Sequence, residues 1–135
     1  MTHMTSSALG RSWTSEELRY LEASRELEIA ARRVDGDLRG WTPIWVVVVE
    51  DEVFVRTWHR RTTGWYGRAV ASARASIRVA GQSVDVVVDV TGDADADAVD
   101  GAYRTKYGVS AAHSMVTAEA SASTLRLTRA SKGIV

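Results

Sequence analysis

The densest concentration of chemically capable side chains runs from Arg56 to Arg68 and reads Arg-Thr-Trp-His-Arg-Arg-Thr-Thr-Gly-Trp-Tyr-Gly-Arg. A guanidinium fork binds phosphate or carboxylate through two parallel N–H bonds, so Arg56, Arg60, Arg61 and Arg68 are candidate anion ligands. The hydroxyls and backbone donors of Thr62 and Thr63 can complete such a site where a loop enters a helix, because a helix N-terminus favours negative charge. Trp58, Trp65 and Tyr66 offer flat faces for a planar ring. His59 has the near-neutral pKa of a general acid or base, although a lone histidine also serves as a structural hydrogen-bonding residue. Interfaces favour the same residue types, so Trp58 and Trp65 read equally as core or dimer anchors with the arginines as a solvated rim.

Elsewhere the chemistry thins out. Asp93, Asp95 and Asp97 have the spacing that opens a calcium loop, but the sixth position is Ala98 and the twelfth Arg104, where that loop needs glycine and a bidentate glutamate. These carboxylates read as caps at the acidic start of a helix. Gly108-Val109-Ser110-Ala111-Ala112 approaches a nucleophile elbow, yet it follows a helical pattern and ends in alanine. His3, His59 and His113 show no paired metal spacing, and the chain has no cysteine. A disulfide scaffold, thiolate catalysis and a cysteine-type zinc site are therefore excluded, and no metal is expected. Neither a phosphate-binding P-loop nor a dinucleotide glycine fingerprint is present.

The 17 basic and 17 acidic side chains cancel, so no global field draws the protein to nucleic acid or to an acidic membrane. Any anion site must be a local concentration of charge. The longest apolar run, Ile44 to Val49, is far too short to span a bilayer, and no signal-peptide pattern opens the chain. A cytoplasmic protein with a small-molecule ligand, and neither nucleic acid nor membrane as partner, is the expectation. At 135 residues the chain fits one domain, residues 13–130, between a disordered tail at 1–12 and a C-terminal tail at 131–135.

The elements that must position the arginine-rich segment follow from local patterns. Thr14 with Glu17 forms a capping box, and Trp13 and Leu18 sit where a hydrophobic staple pairs, predicting a helix from about Ser15 to Ser24. Leu27, Ile29 and Ala31 alternate as a half-buried strand ending at the Asp35-Gly36 turn. Ile44 to Val49 lacks alternation and is rich in β-branched residues, which predicts a strand covered on both faces at the centre of the sheet, with Pro43 at its start. Asp51-Glu52 joins it to Val53, Phe54 and Val55 in a hairpin, and Gly81-Gln82 joins Ile77 and Val79 to Val84, Val86, Val88 and Val90 in another. The Ala-rich stretch Trp65 to Ser72 suits two or three helical turns. Val99 to Tyr107 suits an amphipathic helix stopped by Gly108. Ser110 to Ser123 reads as the weakest-structured interior stretch, open to a lid role, and Leu125 and Leu127 make a final strand. About six strands with helices between hairpins predict an α+β fold, a closed or split antiparallel barrel, in place of a doubly wound parallel sheet.

Several blocks carry a resemblance: Trp13-Thr14-Ser15-Glu16-Glu17-Leu18, Leu27-Glu28-Ile29-Ala30, Pro43-Ile44-Trp45-Val46-Val47, Gly64-Trp65-Tyr66, and Ala102-Tyr103-Arg104-Thr105-Lys106-Tyr107-Gly108. From about Trp13 to Arg129 the chain resembles the DUF2255 family, which is similar to the FMN-binding split-barrel superfamily and its deazaflavin-dependent nitroreductases. The resemblance implies a split barrel, commonly a homodimer, with FMN or a deazaflavin coenzyme near the subunit interface. Gly64-Trp65-Tyr66 with Ile77-Arg78-Val79 looks like the Trp-Tyr block of the deazaflavin group. That group typically has His-Pro before the Trp and Asn-Leu after the Tyr, where this chain has Thr62-Thr63-Gly64 and Arg68-Ala69.

On this basis the expected function is that of a flavin- or deazaflavin-dependent oxidoreductase acting on a small organic molecule. The ring would lie against Trp58 and Trp65, with Arg56, Arg60, Arg61 and Arg68 as phosphate ligands supported by Thr62, Thr63 and Tyr66. A cofactor-free small-molecule binding protein, or a non-redox enzyme on the same barrel, is the alternative, and a purely structural dimer module is a third reading.

Overall fold

A computed structural model describes residues 10–31, 40–57 and 64–130. The expected Asp35-Gly36 turn and residues 1–9 and 131–135 of the two expected tails lie outside the described residues. Strand β1 (Gly10–Arg11) falls within the stretch read as a tail, pairing Gly10 with Ala130 and Arg11 with Arg129. Thr14 then caps α1 (Ser15–Ala23): its hydroxyl accepts from the Glu17 N–H at 3.1 Å, and Glu17 Oε1 accepts from the Thr14 N–H at 2.9 Å. That reciprocal box satisfies two donors a helix start otherwise leaves without partners. Trp13 is buried, and its indole N–H donates to Leu127 O at 3.0 Å.

The remaining strands are β2 (Leu27–Ala31), β3 (Thr42–Ile44), β4 (Val47–Val49), β5 (Glu52–Val55), β6 (Arg74–Val79), β7 (Gln82–Val90) and β8 (Leu125–Ala130). Every described pairing is antiparallel, and neighbours follow the order β3-β2-β6-β7-β8-β5-β4. β1 lies beside β8, beyond the end of β5 along the same edge. The α+β class and the antiparallel, curled sheet are as expected, with eight described strands in place of about six.

The expectation of an unbroken central strand from Ile44 to Val49 is corrected. β3 pairs with β2 at one end of the path and β4 with β5 at the other, and only Trp45 and Val46 lie between them. The three steps from Ile44 to Val47 reach at most roughly 11 Å, so the sheet has to curl until its two ends meet. The apolar run is thus a strand bent at a corner. It is still covered on both sides, with Val46 in the barrel interior and Val47 in an outer core beneath a helix.

Strand period explains the two cores. Val53 and Val55 face the barrel interior with Ile29, Ile77, Val86, Val88, Leu125 and Leu127, while Phe54 between them faces outward. Outside, α3 (Ala96–Tyr107) covers Phe54 and Val47 with Val99, Tyr103 and Tyr107. Asp95 occupies the N-cap of α3 without a side-chain cap bond, so its carboxylate acts there through charge alone. Both hairpin turns sit one residue earlier than the dipeptides read in the sequence. Glu50 and Asp51 have φ of 50° and 67°, and Ala80 and Gly81 have 53° and 84°, the left-handed pair that tight hairpins require.

The reading of Ser110 to Ser123 as the weakest-structured interior stretch is also corrected. The segment forms α4 (Val109–Ala112), a 3-10 turn at His113–Met115 and α5 (Ala118–Ala122), capped by Thr117. Ala112, Met115, Ala120, Ser121 and Ser123 are buried. Helix α2 (Gly64–Ser72) sends Tyr66 and Ala69 into the barrel core.

Candidate functional site

The bent strand brings its corner opposite the end of β5 and the start of α2. Between them lies a cavity of about 320 Å3. Thr42, Pro43 and Ile44 of β3 and Trp45 of the corner line one part of it; Arg56, Thr57 and Trp65 line another; Ser114, Met115 and the exposed Glu26 complete it. The mix of two indoles, aliphatic carbons and a few hydroxyls is that of a pocket for a small ligand with an apolar body.

Helix α3 holds the corner in place. Trp45 stacks on Tyr107, with ring centroids 4.0 Å apart and planes 5° from parallel. The Tyr107 hydroxyl lies 2.7 Å from Arg25 O and 3.2 Å from Val46 O, and accepts from the Val46 N–H at 3.2 Å. Having one proton, it donates to the nearer Arg25 carbonyl. Lys106 Nζ donates to Val46 O at 2.8 Å and Leu21 O at 3.0 Å. The main-chain groups of Val46, left without ladder partners where the strand bends, are thereby satisfied, as buried backbone must be. Burial lowers the Lys106 pKa, against the raising effect of Glu22, and burial raises that of Tyr107.

Arg56 is the residue whose placement departs most from expectation. Read as a candidate anion ligand, it is fully buried. Nε donates to Thr124 Oγ1 at 2.8 Å, and Nη1 donates to Asp100 Oδ1 at 2.5 Å and Met115 O at 2.7 Å. Nη2 lies 3.4 Å from Ser121 Oγ, and the guanidinium carbon stands 5.6 Å from the Tyr103 ring centroid. With Asp100 beside it and most of its donors engaged, Arg56 stands in the cavity wall as a structural member, which argues against its use as a phosphate ligand. Next to it, the Thr57 N–H donates to Ser123 Oγ at 3.0 Å.

Of the other expected site residues, Trp65 lines the cavity, half-buried, with Tyr66 edge-on at 5.5 Å. Tyr66 itself is buried in the barrel core, and Arg68 is exposed on α2. Trp58, His59, Arg60, Arg61, Thr62 and Thr63 lie outside the described residues. Sequence reasoning did not single out Trp45, Thr57, Ser114 or Met115. The one available signal was Trp45 itself, a large aromatic interrupting a run of β-branched residues. No cluster of three or more His, Cys, Asp or Glu side chains suited to a metal occurs among the described residues, and no helix among them is long and apolar enough to cross a membrane.

A curled antiparallel barrel whose two ends are joined by a bent strand, with a cavity at the bend, is a split-barrel architecture. It is shared at 14% identity by HutZ, the heme storage protein of Vibrio cholerae, with a TM-score of 0.61 over 91% of this chain and 93% of that one. An FAD-binding protein of Mesorhizobium loti matches at 16% identity and TM-score 0.55, covering 91% and 93% of the two chains. An F420 reductase matches at 15% identity and TM-score 0.53, covering 88% and 96%. At these identities the likeness establishes the fold. No curated protein sequence matches the chain. Residues 17–127 match the family model described as "Uncharacterized protein conserved in bacteria (DUF2255)", and the chain belongs to that family.

Proposed function

We propose that the protein binds the planar ring of a flavin or deazaflavin coenzyme in the cavity between Trp45 and Trp65 and acts as an oxidoreductase on a small organic molecule. The observation that carries this reading is a cavity of about 320 Å3 bordered by both indoles. That volume stands at the lower end of ligand pockets, roughly 300–1,000 Å3, so it suits a ring and leaves a phosphate-bearing tail outside. The fold shared with an F420 reductase and an FAD-binding protein supports the same choice of ligand.

The residues present fit the ring part of such a coenzyme. Trp45 and Trp65 would hold its faces by stacking, and the hydroxyls of Thr57 and Ser114 would meet its polar edge. Trp58, Arg60, Arg61, Thr62, Thr63 and the exposed Arg68 are left as the candidates for the tail. When bound, the ring supplies hydride transfer. The chain's own contribution is to orient the ring and exclude water, with Ile44, Pro43 and Met115 forming the apolar part of the lining.

The modest volume favours one second reading, a cofactor-free pocket for a small organic molecule. Titrating FMN and a deazaflavin coenzyme separately against tryptophan fluorescence distinguishes the two. Saturable quenching by one of them is expected, with affinity lowered about tenfold, on the order of 1.4 kcal/mol, in Trp65→Ala and Trp45→Ala. No quenching by either coenzyme at tens of micromolar removes the first reading and leaves the second.

A further inference from the structure

One face of α3 reaches two separate parts of the cavity lining. Asp100, Tyr103 and Tyr107 stand at i, i+3 and i+7, which places them along a single stripe of the helix. At one end of the stripe, Asp100 holds Arg56 Nη1, and the same nitrogen holds the carbonyl of Met115. Arg56 and Met115 both border the cavity. At the other end, Tyr107 stacks on Trp45, also in the lining, and its hydroxyl accepts from the N–H of the adjoining Val46.

These contacts are directional where packing alone is not. Exchanging a buried ion pair for apolar side chains of similar volume is often neutral or stabilising, so net stability does not account for the arrangement around Arg56. What the pair does provide is a fixed position for one named atom, the Met115 carbonyl oxygen. Likewise a phenylalanine at 107 could stack on Trp45 but could not hold Val46 N–H and Arg25 O together.

We propose that α3 sets the width of the cavity, with Asp100 and Tyr107 as positioning residues for its Met115 and Trp45 walls. This rests on the ligand-binding reading above, but its structural half can be measured without any ligand. Two variants carry the test: Tyr107→Phe, which deletes one hydroxyl, and the double variant Arg56→Met/Asp100→Leu, which removes the ion pair without leaving a lone buried charge. Amide hydrogen exchange is measured on both and on the unaltered protein, followed by FMN and deazaflavin titration.

Exchange is expected to rise about tenfold at Val46 in Tyr107→Phe and across residues 112–116 in the double variant, with the barrel strands unchanged. Affinity for whichever coenzyme the unaltered protein binds is expected to fall by a similar factor, about tenfold. Unchanged local exchange, or a uniform rise over the whole chain, overturns the proposal. Local exchange that rises while affinity stays the same overturns it too. If the unaltered protein binds neither coenzyme, the functional reading fails while exchange alone decides the positioning role. If the double variant does not fold, Tyr107→Phe decides.

Discussion

Arg56 has side chains of Asp100, Thr124 and Ser121 and the Met115 carbonyl around it, and this distinguishes it from an arginine held ready for an anion. Truncating its counter-charge tests the assignment: Asp100→Ala leaves a guanidinium buried without a partner and should cost about 3–5 kcal/mol in urea denaturation. A loss below about 1 kcal/mol would mean the pair is solvated. Tyr103 beneath it is different. Its hydroxyl is buried and makes no hydrogen bond of good geometry among the described residues, with the Arg56 main chain close enough to favour its ionised form, so Tyr103→Phe should leave stability within about 1 kcal/mol or raise it. Burial also holds the Tyr103 and Tyr107 pKa values above the ordinary 10.0, despite the opposing charge of Arg56 near Tyr103. The unfolded chain therefore releases these protons first, so their stabilisation is complete below pH 10.0 and is lost as pH rises past it. Lys106, lowered by burial, acts oppositely: below 10.5 the unfolded chain retains its proton longer, so stability rises with pH until that value is passed. Above pH 10.5 the tyrosines decide, and urea midpoints should fall there, less steeply in Tyr103→Phe.

At the scale of elements, what was legible in the sequence was what is local. The Thr14 and Glu17 box, the alternation of Leu27, Ile29 and Ala31, the two hairpins and the Gly108 stop each depend on residues within a few positions of one another. The corner at Trp45 and Val46 does not. Its cause is the meeting of β2 with β3 and β5 with β4 across the molecule, and six consecutive apolar residues look the same whether the strand runs straight or bends. The partners of Arg56 were hidden for the same reason, since Asp100 and Thr124 are distant in sequence. The stretch 110–123 looked weak because small residues give little periodic signal; its order comes from buried contacts made by Met115, Ser121 and Ser123. The hairpin turns offer a test at this scale. Ala80 is held at φ 53°, a conformation that costs a residue with a Cβ roughly 1–2 kcal/mol and that asparagine tolerates better. Ala80→Asn should therefore raise stability by roughly 0.5–1 kcal/mol in thermal or urea unfolding. A loss of stability would place the turn residue elsewhere.

For the whole molecule, the bend that closes the barrel also makes the pocket. Bringing β3 and β4 together at Trp45 places an indole across the cavity from Arg56, Thr57 and Trp65, and α3 seals the outside of the same corner with Lys106 and Tyr107. Residues Ala102 to Gly108 are the helix end that satisfies Val46, and Gly64-Trp65-Tyr66 opens α2 and supplies a second indole and a core tyrosine. The most direct measurement is a crystal structure of the protein grown with whichever of FMN or a deazaflavin coenzyme quenches its fluorescence. The account predicts the ring between Trp45 and Trp65, with its phosphate-bearing tail away from Arg56. A ring bound elsewhere, or a phosphate group on the Arg56 guanidinium in place of Asp100, would contradict it.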